Sequence, residues 1–346
     1  MNQEELNEPL DENQEIVPER NELSSFSRPR VDVSKVENIH QKVNAELEKV
    51  IIGQKDLIDQ MLIGLLSGGH VLVEGVPGIA KTLTAKLIAK TLQIDFSRIQ
   101  FTPDLMPSDV LGTNVFNLKN SEFKFNKGPV FSNIVLIDEI NRAPAKTQAA
   151  LFEVMEEYQI TVDGETYKLD QPFFVMATQN PIEQEGTYKL PEAQLDRFIF
   201  KINIGHPSLE EEKAILKKFK NDFNLATADN VQPVLSAKDI LEARAVVEKV
   251  FIQTELLDYI ATLVYQTRTS GDLYLGASPR ASLALMKASK AMAAISGRDY
   301  VTPDDVRYVS YPVLNHRILL TPEREMEGVD AKQVIENLIK SVEVPR

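Results

Sequence analysis

The chain has no cysteine among its 346 residues. Disulfide bonds, zinc sites built on thiolates and a cysteine nucleophile are therefore excluded. Histidine is scarce, and its four copies stand far apart in the sequence, without the spacing of metal ligands. They are His40, His70, His206 and His316. We expect these histidines to be ordinary core or surface residues.

A long apolar run is also missing. The longest apolar stretch, near residues 61–73, is short and interrupted by glycines, whereas a membrane helix needs about 20 apolar residues. The N-terminus is acidic and has no apolar leader segment. We expect a cytoplasmic protein that meets membranes only through its partners.

Positive charge is in deficit, with 38 Lys and Arg against 51 Asp and Glu, for a net charge of −13. Such a balance disfavours broad nucleic-acid binding, which needs a surface that neutralises phosphates. We expect no direct nucleic-acid contact, although a local basic pore remains compatible with this charge. The length and the 43% hydrophobic content are sufficient for a sizeable core and two domains.

The first 32 residues are acidic, contain few apolar side chains and include three prolines. This composition cannot bury enough apolar surface to order itself, so we predict a disordered tail over residues 1–32. The alternative is a segment that orders on a partner, with Ile16, Val17 or Leu23 as anchors.

Residues 74–82 read EGVPGIAKT and connect an apolar strand, residues 70–73, to a helical pattern, residues 83–92. Glycines there let backbone amides approach a polyphosphate at the positive end of a helix. The candidate nucleotide contacts are Gly75, Val76, Pro77, Gly78, Ile79, Ala80, Lys81, Thr82 and Leu83. Lys81 would reach the β- and γ-phosphates, and the Thr82 hydroxyl would bind Mg²⁺. Ala80 replaces the last glycine of the usual pattern, and the alternative is an ordinary strand-to-helix turn.

A second apolar strand, residues 131–137, ends in Asp138 and Glu139. A buried parallel strand delivers such carboxylates at its carboxyl end, where ligands of open α/β sheets bind. Asp138 is predicted to hold Mg²⁺ and Glu139 to polarise the attacking water. We expect no metal site other than this one. The alternative is the acidic first turn of a helix.

These segments and four others resemble MoxR-type AAA+ ATPases over about residues 35–320. The six segments are residues 52–54 (IGQ), 75–82, 135–142 (VLIDEINR), 177–187 (ATQNPIEQEGT), 190–198 (LPEAQLDRF) and 277–281 (ASPRA). MoxR loops often carry alanine where Ala80 stands. The resemblance implies an α/β fold, a P-loop αβα sandwich with a parallel sheet followed by an all-helical lid. It also implies ATP hydrolysis with Mg²⁺ and ADP release, a homo-oligomeric hexameric ring, and protein clients with von Willebrand factor A domains.

Four further site predictions combine residue chemistry with the resemblance. Ile52, Gly53 and Gln54 would lie against the adenine, although a simple helix joint would look the same. Asn180 would orient the attacking water. The alternative is that Asn180 only begins an Asn-Pro turn, and the two roles are compatible. Arg197 is implied to be an arginine finger that reaches a neighbour's γ-phosphate. Arg280, near a helix N-terminus, is implied to contact the phosphate of its own or a neighbour's nucleotide.

Two domains are predicted: residues 33–207 form the nucleotide-binding αβα domain, and residues 208–346 form the helical lid. Helical patterns in the lid cover residues 208–219, 236–250, 254–269, 279–296 and 302–314. The first domain has a long insertion, residues 103–128, with a hairpin of 114–118 and 122–126. A second hairpin turns at Asp163-Gly164. Basic and aromatic side chains could line a pore or simply protect hairpin edges: Lys119, Lys124, Lys127, Tyr167 and Lys168.

The sequence thus predicts a ring-forming ATPase that remodels protein partners. A DNA translocase is the first alternative, and the acidic charge and the lack of an added DNA-binding domain speak against it. A nucleotide-gated scaffold without turnover is the second, and the presence of both Glu139 and Arg197 speaks against that one.

Overall fold

A five-stranded parallel sheet forms the centre of the part of the chain between residues 70 and 204. The computed structural model describes residues 30–75, 81–119, 121–180, 188–221 and 228–345. The predicted disordered tail lies almost wholly outside these residues, so that prediction stays open.

Helices and strands are mixed along the chain before residue 208. They are α1 (Ser34–Leu47), α2 (Lys55–Leu66), β1 (His70–Gly75), α3 (Lys81–Thr91), β2 (Phe96–Gln100), α4 (Pro107–Leu111), β3 (Gly112–Asn117), β4 (Glu122–Lys127), β5 (Ile134–Asp138), α5 (Ala145–Glu157), β6 (Gln159–Val162), β7 (Glu165–Lys168), β8 (Phe174–Gln179), α6 (Glu192–Leu195) and β9 (Phe198–Ile204).

The elements that follow are mostly helical. They are α7 (Leu209–Phe219), α8 (Ala237–Glu248), α9 (Thr254–Thr269), β10 (Leu273–Leu275), α10 (Pro279–Ile295), α11 (Pro303–Leu314), β11 (Leu319–Leu320), α12 (Pro322–Met326) and α13 (Ala331–Ser341).

The main sheet has the strand order β2-β5-β8-β1-β9, and every neighbouring pair is parallel. All five residues of β5 are buried, as expected for a central parallel strand with both faces covered. The apolar run that was predicted as a strand therefore lies at the heart of the sheet. It begins three residues later than predicted, at Ile134, because a short 3-10 turn occupies residues 129–131.

Side chains of the strands alternate between two apolar clusters, one on each face of the sheet. In β5, Ile134 and Leu136 join a cluster with α1, α2 and α3, whereas Val135 and Ile137 join a cluster with α4 and α5. This alternation has the two-residue period of a strand. The predicted αβα sandwich is confirmed.

The order of the strands brings three chain segments together at one edge of the sheet. Gly75 ends β1, Asp138 ends β5 and Gln179 ends β8, and β8 lies between the other two strands. Because parallel strands share their direction, the segments that follow them meet at the carboxyl edge. This edge is where the sequence predicts nucleotide binding.

The predicted lid helices are present, and capping residues mark several of their starts. Ser208 and Ser236 each form a capping box with the residue three positions later. The region also contains a small antiparallel sheet of β10 and β11, so the lid is not entirely helical. Apolar side chains of α8–α11 and α13 join the same cluster as α1–α3, and residues 31–346 form one compact unit.

Both predicted hairpins are present. β3 pairs with β4, and β6 pairs with β7. Each forms a two-stranded sheet of its own beside the main sheet. Within the described residues, every helix is too short or too polar to cross a lipid bilayer.

Candidate active site

Lys81, the predicted phosphate contact, is the first residue of α3. Its Nζ donates a hydrogen bond to the carbonyl oxygen of Gly75 at 2.8 Å, so the ammonium group lies back over the end of β1. Burial lowers the pKa of Lys81, while the carboxylates of Asp138 and Glu139 oppose that shift. The predicted contacts Val76, Pro77, Gly78, Ile79 and Ala80 lie outside the described residues.

Asp138 is held in a buried position at the end of β5. Its side chain accepts a hydrogen bond from the hydroxyl of Thr178 at 3.1 Å, and its other oxygen lies 2.6 Å from Nε of Arg98. Only 8% of the residue is exposed. A fixed carboxylate near Lys81 and Thr82 is the kind of oxygen donor that Mg²⁺ accepts, so these residues fit the predicted ion.

Glu139 has an unusual backbone conformation, with φ 58° and ψ 52°. A non-glycine residue in this left-handed region is uncommon and is a frequent feature of functional sites. Its carboxylate accepts a hydrogen bond from Gln100 at 2.8 Å and pairs with Nε of Arg142 at 3.0 Å. Its backbone N–H donates to the Thr178 hydroxyl at 3.1 Å. Gln100 and Arg142 thus direct the side chain of Glu139, and Thr178 holds its backbone.

Asn180 directly follows β8. Because β8 lies between β5 and β1, this residue stands at the same edge as Asp138 and Lys81. The location agrees with the predicted contact to the attacking water, and the role itself stays a prediction.

A cavity of about 710 Å³ adjoins this edge, within the size range of small-molecule sites. Ile52, Gln54 and Leu83, three predicted nucleotide contacts, line it together with Ile204 and Tyr311.

Gly53, between two of these contacts, has φ +71°. A Cβ atom there would lie 2.2 Å from a carboxylate oxygen of Glu211, so glycine suits this position. The cavity is bordered by the end of β9 and by α7 and α11, and it fits the predicted base position between the sheet and the lid.

Arg197 and Arg280 lie elsewhere and share one carboxylate. Both pair with Glu156 at 2.7 Å, each with a different oxygen. Arg197 also donates to the carbonyl oxygen of Phe152 at 2.5 Å. Although 83 residues separate the two arginines in sequence, Glu156 holds their guanidinium groups together.

This arginine pair is at the opposite end of the sheet from Lys81. Arg197 directly precedes β9, and its neighbour Phe198 pairs with His70, the first residue of β1. The ammonium group of Lys81 contacts Gly75, the last residue of that strand. Five residue steps at about 3.3 Å each separate the two ends by roughly 17 Å. The arginines are therefore remote from Lys81 of their own chain.

The segment that carries Arg197 is anchored by buried polar contacts. Nε of Arg317 lies 2.7 Å from Asp196, and its Nη2 donates to the carbonyl oxygen of Phe198 at 2.6 Å. The Ser278 hydroxyl donates to the other oxygen of Asp196 at 2.7 Å. Burial lowers the pKa of Arg317, and the Asp196 carboxylate opposes that shift. These contacts tie the start of β9 to the N-terminus of α10.

Several residues of these two regions were not predicted from the sequence. They are Arg98, Gln100, Arg142, Glu156, Thr178 and Arg317. A polar residue near the end of a buried strand could have indicated Gln100 and Thr178, because they are the last residue of β2 and the next-to-last residue of β8, the strands on either side of β5. No local pattern indicates Glu156, whose contact with Arg280 spans 124 residues.

Two family models match this chain. The model of the ATPase family associated with various cellular activities (AAA) matches residues 70–200, and a model of the AAA lid domain matches residues 265–338. The first match contains Lys81, Asp138, Glu139 and Arg197, and the second contains Arg280.

Full-length relatives are also similar. The chain is 46% identical over 312 residues to an uncharacterised Bacillus subtilis protein, YeaC, a match that covers 89% of this chain and 97% of the relative. It is 45% identical over 310 residues to Chaperone MoxR1 of Mycobacterium tuberculosis, covering 87% and 81%. It is 30% identical over 304 residues to Protein MoxR of Paracoccus denitrificans, covering 81% and 88%.

A solved structure has the same fold. The crystal structure of a candidate ATPase from Cytophaga hutchinsonii superposes with a TM-score of 0.84 at 46% sequence identity. The match covers 91% of this chain and 97% of that one.

Proposed function

Because the chain belongs to the MoxR family of AAA+ ATPases, we propose that it assembles into a ring in which neighbouring subunits complete each other's ATP sites. Hydrolysis would drive the remodelling of partner proteins. The observation that carries this proposal is the separation of the site into two halves at opposite ends of β1.

The first half would bind the nucleotide within one chain. Lys81 supplies positive charge for the β- and γ-phosphates, and Ile52, Gln54 and Leu83 line a cavity suited to the base. Thr82 and Asp138 would hold Mg²⁺, which when bound neutralises phosphate charge. Glu139 would accept a proton from the attacking water, with Asn180 orienting that water.

The second half would act on the nucleotide of a neighbour. Arg197 and Arg280 carry two positive charges at the far end of the sheet, and a γ-phosphate could attract both away from Glu156. This arrangement supports a role in trans for Arg280 as well as Arg197. A closed homo-oligomer meets this need because every site then receives one arginine pair. A hexamer is the ring size that the resemblance implies.

Protein clients are the proposed targets of the ring. The relative from M. tuberculosis carries the name of a chaperone, and the net charge of −13 disfavours a polyanionic substrate. Clients with von Willebrand factor A domains are proposed from the family resemblance. A cytoplasmic site of action is likewise a proposal.

The decisive experiment mixes two inactive variants. Arg197→Ala subunits should bind ATP normally but hydrolyse it 10³- to 10⁵-fold more slowly, the range on the order of known arginine fingers. Lys81→Ala subunits should not bind ATP. Mixed rings should regain part of the activity, because one variant supplies an intact nucleotide half and the other supplies the arginine.

A matched control replaces the second partner by the double variant Lys81→Ala/Arg197→Ala, which should give no rescue. Mixed assembly is verified by native mass spectrometry. Absence of rescue in verified mixed rings would contradict the proposed role in trans. An Arg280→Ala subunit tested in the same way would show whether the second arginine also acts across the interface.

A further inference from the structure

The wall of the cavity that fits the base includes a carboxylate from the lid. Glu211 lies in the first turn of α7 and lines the cavity together with Ile52, Gln54 and Tyr311. The predicted nucleotide contacts do not use this side chain. Its charge and its position beside them raise the question of what it does in the site.

One oxygen of the Glu211 carboxylate already has two hydrogen-bond donors. Oε2 accepts the backbone N–H of Ser208 at 2.7 Å and the hydroxyl of the same residue at 2.9 Å, as part of the capping box at the start of α7. The backbone and side-chain hydrogen bonds from Ser208 hold the pKa of Glu211 below its usual value. The group is therefore an anchored, ionised carboxylate.

The other oxygen, Oε1, lies against the segment that is predicted to contact the adenine. A Cβ atom on Gly53 would lie 2.2 Å from Oε1, and the three atoms nearest to that position outside residues 52–54 all belong to Glu211. No hydrogen-bond donor among the described residues reaches Oε1. An acceptor thus stands ready at the edge of the predicted base position.

An acceptor in this place distinguishes purines by the group on carbon 6. Adenine carries a 6-amino group, which donates, whereas hypoxanthine and guanine carry a 6-oxo group, whose lone pairs an ionised carboxylate would repel. Guanine can also pair with both oxygens of a carboxylate through its N1–H and 2-amino group. That pairing is disfavoured here because Ser208 occupies Oε2.

We propose that Glu211 is a specificity-determining residue whose Oε1 accepts a hydrogen bond from the 6-amino group of the base. It selects 6-aminopurine nucleotides over 6-oxopurine nucleotides. The inference rests on the proposed function, because it needs the base to occupy this cavity. It gives α7, an element of the lid, a part in reading the base beside residues 52–54.

The test measures the binding of nucleoside diphosphates to the full-length chain by titration calorimetry, so that hydrolysis does not interfere. ADP carries the 6-amino group, IDP carries the 6-oxo group, and purine riboside diphosphate has only hydrogen at carbon 6. ADP should bind at least about tenfold more tightly than IDP, because a hydrogen bond to a charged group contributes that factor or more. The purine riboside compound should fall between them, since it loses the hydrogen bond without the repulsion.

The variant Glu211→Gln exchanges the acceptor for a donor and keeps the helix cap. Glutamine also completes a capping box: its carbonyl oxygen can accept from Ser208, and its amide NH₂ then takes the place of Oε1. The affinity ratio of ADP to IDP should fall by about tenfold or more, with IDP gaining affinity. The ratio is the readout because the lost negative charge affects both diphosphates alike.

Two control variants separate this role from charge and from the rest of the cavity wall. Glu212→Gln removes the same charge from the next residue, which is exposed, and should leave the ratio unchanged. Asp56→Asn alters another carboxylate that lines the cavity and should also leave the ratio unchanged. The melting temperature of Glu211→Gln should stay close to that of the wild type, because the cap is retained.

Three results would overturn the proposal. They are equal affinity of the wild type for ADP and IDP, an unchanged ratio in Glu211→Gln, and a shift of the ratio in Asp56→Asn in its place. The second result would mean that Glu211 only caps α7.

Failure of the proposed function has a different signature. A wild-type chain that binds none of the diphosphates contradicts the nucleotide site itself, and this inference with it. Tight binding of all of them without discrimination contradicts only the role of Glu211.

Discussion

Two adjacent carboxylates at the end of β5 have different surroundings. Asp138 is buried and contacts Thr178 and Arg98, an arrangement that suits a fixed ligand. Glu139 turns into a left-handed backbone conformation and contacts Gln100 and Arg142. Separate partners suit the two different roles proposed for these neighbouring acids, metal ligand and proton acceptor.

The first residue-scale prediction concerns Glu139→Gln. This variant should bind ATP like the wild type, because Lys81 and Asp138 are untouched, yet hydrolyse it about 10²- to 10⁴-fold more slowly, the usual contribution of a general base. Nucleotide binding is measured by titration calorimetry and turnover by phosphate release. Wild-type turnover by this variant would show that the water is activated by another group.

A second prediction concerns the carboxylate between the two arginines. Glu156→Gln should lower kcat about tenfold, roughly 1.4 kcal/mol of barrier, because Arg197 and Arg280 lose the charge that holds them together. KM for ATP should change little, since Lys81 is at the other end of β1. Exposed Glu157, changed to Gln, is the control. A higher kcat would instead mean that Glu156 withholds the arginines from the nucleotide.

A third prediction concerns acid stability. Burial lowers the pKa of His70 from 6.5 to about 4, and its Nδ1 accepts the backbone N–H of Val175 at 3.0 Å. The unfolded chain therefore binds the proton more tightly, and acidification from pH 6.5 to 4 should reduce the free energy of unfolding. His70 accounts for about 3 kcal/mol of this reduction in the free energy of unfolding.

Urea unfolding at several pH values measures this loss. His70→Asn removes the titrating group and should make the decline shallower, whatever its effect at neutral pH. Burial also lowers the pKa of His316, so part of the decline should persist. An unchanged slope in the variant would contradict the prediction.

At the scale of elements, polar contacts join the start of α11 to the segment that follows α10. Asp305 accepts the backbone N–H of Thr302 at the start of α11 and pairs through both oxygens with Arg298, at 2.7 and 2.5 Å. Only 2% of the residue is exposed. One carboxylate therefore caps a helix and neutralises the arginine that follows α10.

The prediction at this scale is that Asp305→Asn lowers the free energy of unfolding by about 2 kcal/mol, because a cap and a charged hydrogen-bond pair are both weakened. Thermal and urea unfolding measure the change. The adjacent Asp304, whose side chain is 86% exposed, provides the control, since its change to Asn should alter stability by about 0.5 kcal/mol or less. Equal effects would argue against a specific role for Asp305.

At the scale of the whole molecule, the two halves of the proposed site lie too far apart to meet within one chain. The arginine pair and Lys81 lie at opposite ends of β1, and residues 31–346 form one compact unit. Hydrolysis should therefore depend on association, which mass action controls.

The whole-molecule prediction is a fall in ATPase rate per chain on dilution, parallel to the loss of rings seen by mass photometry. The remaining rate of the double variant Arg197→Ala/Arg280→Ala should not fall further, because this variant lacks both arginines that are proposed to act across the interface. A rate per chain that stays constant down to verified monomer would remove the need for a ring.

Much of the nucleotide half could be predicted from the sequence, because it depends on short-range patterns. An apolar strand that ends in Asp138-Glu139 and a strand followed by Lys81-Thr82 are local signals. In a parallel sheet such strand ends meet at one edge. Turn residues likewise predicted the hairpin at Asp163-Gly164.

Only the tertiary structure decided which distant side chains share a partner. Glu156 joins Arg197 and Arg280 across 124 residues of sequence, Arg98 pairs with Asp138 across 40, and Arg317 reaches Asp196 across 121. Periodicity reports which face of an element is apolar, but it carries no information on which charged residues meet when elements pack. The sequence by itself therefore determined which edge of the sheet carries the proposed nucleotide half. Packing of the folded chain decided that Arg197 and Arg280 lie together at the opposite edge.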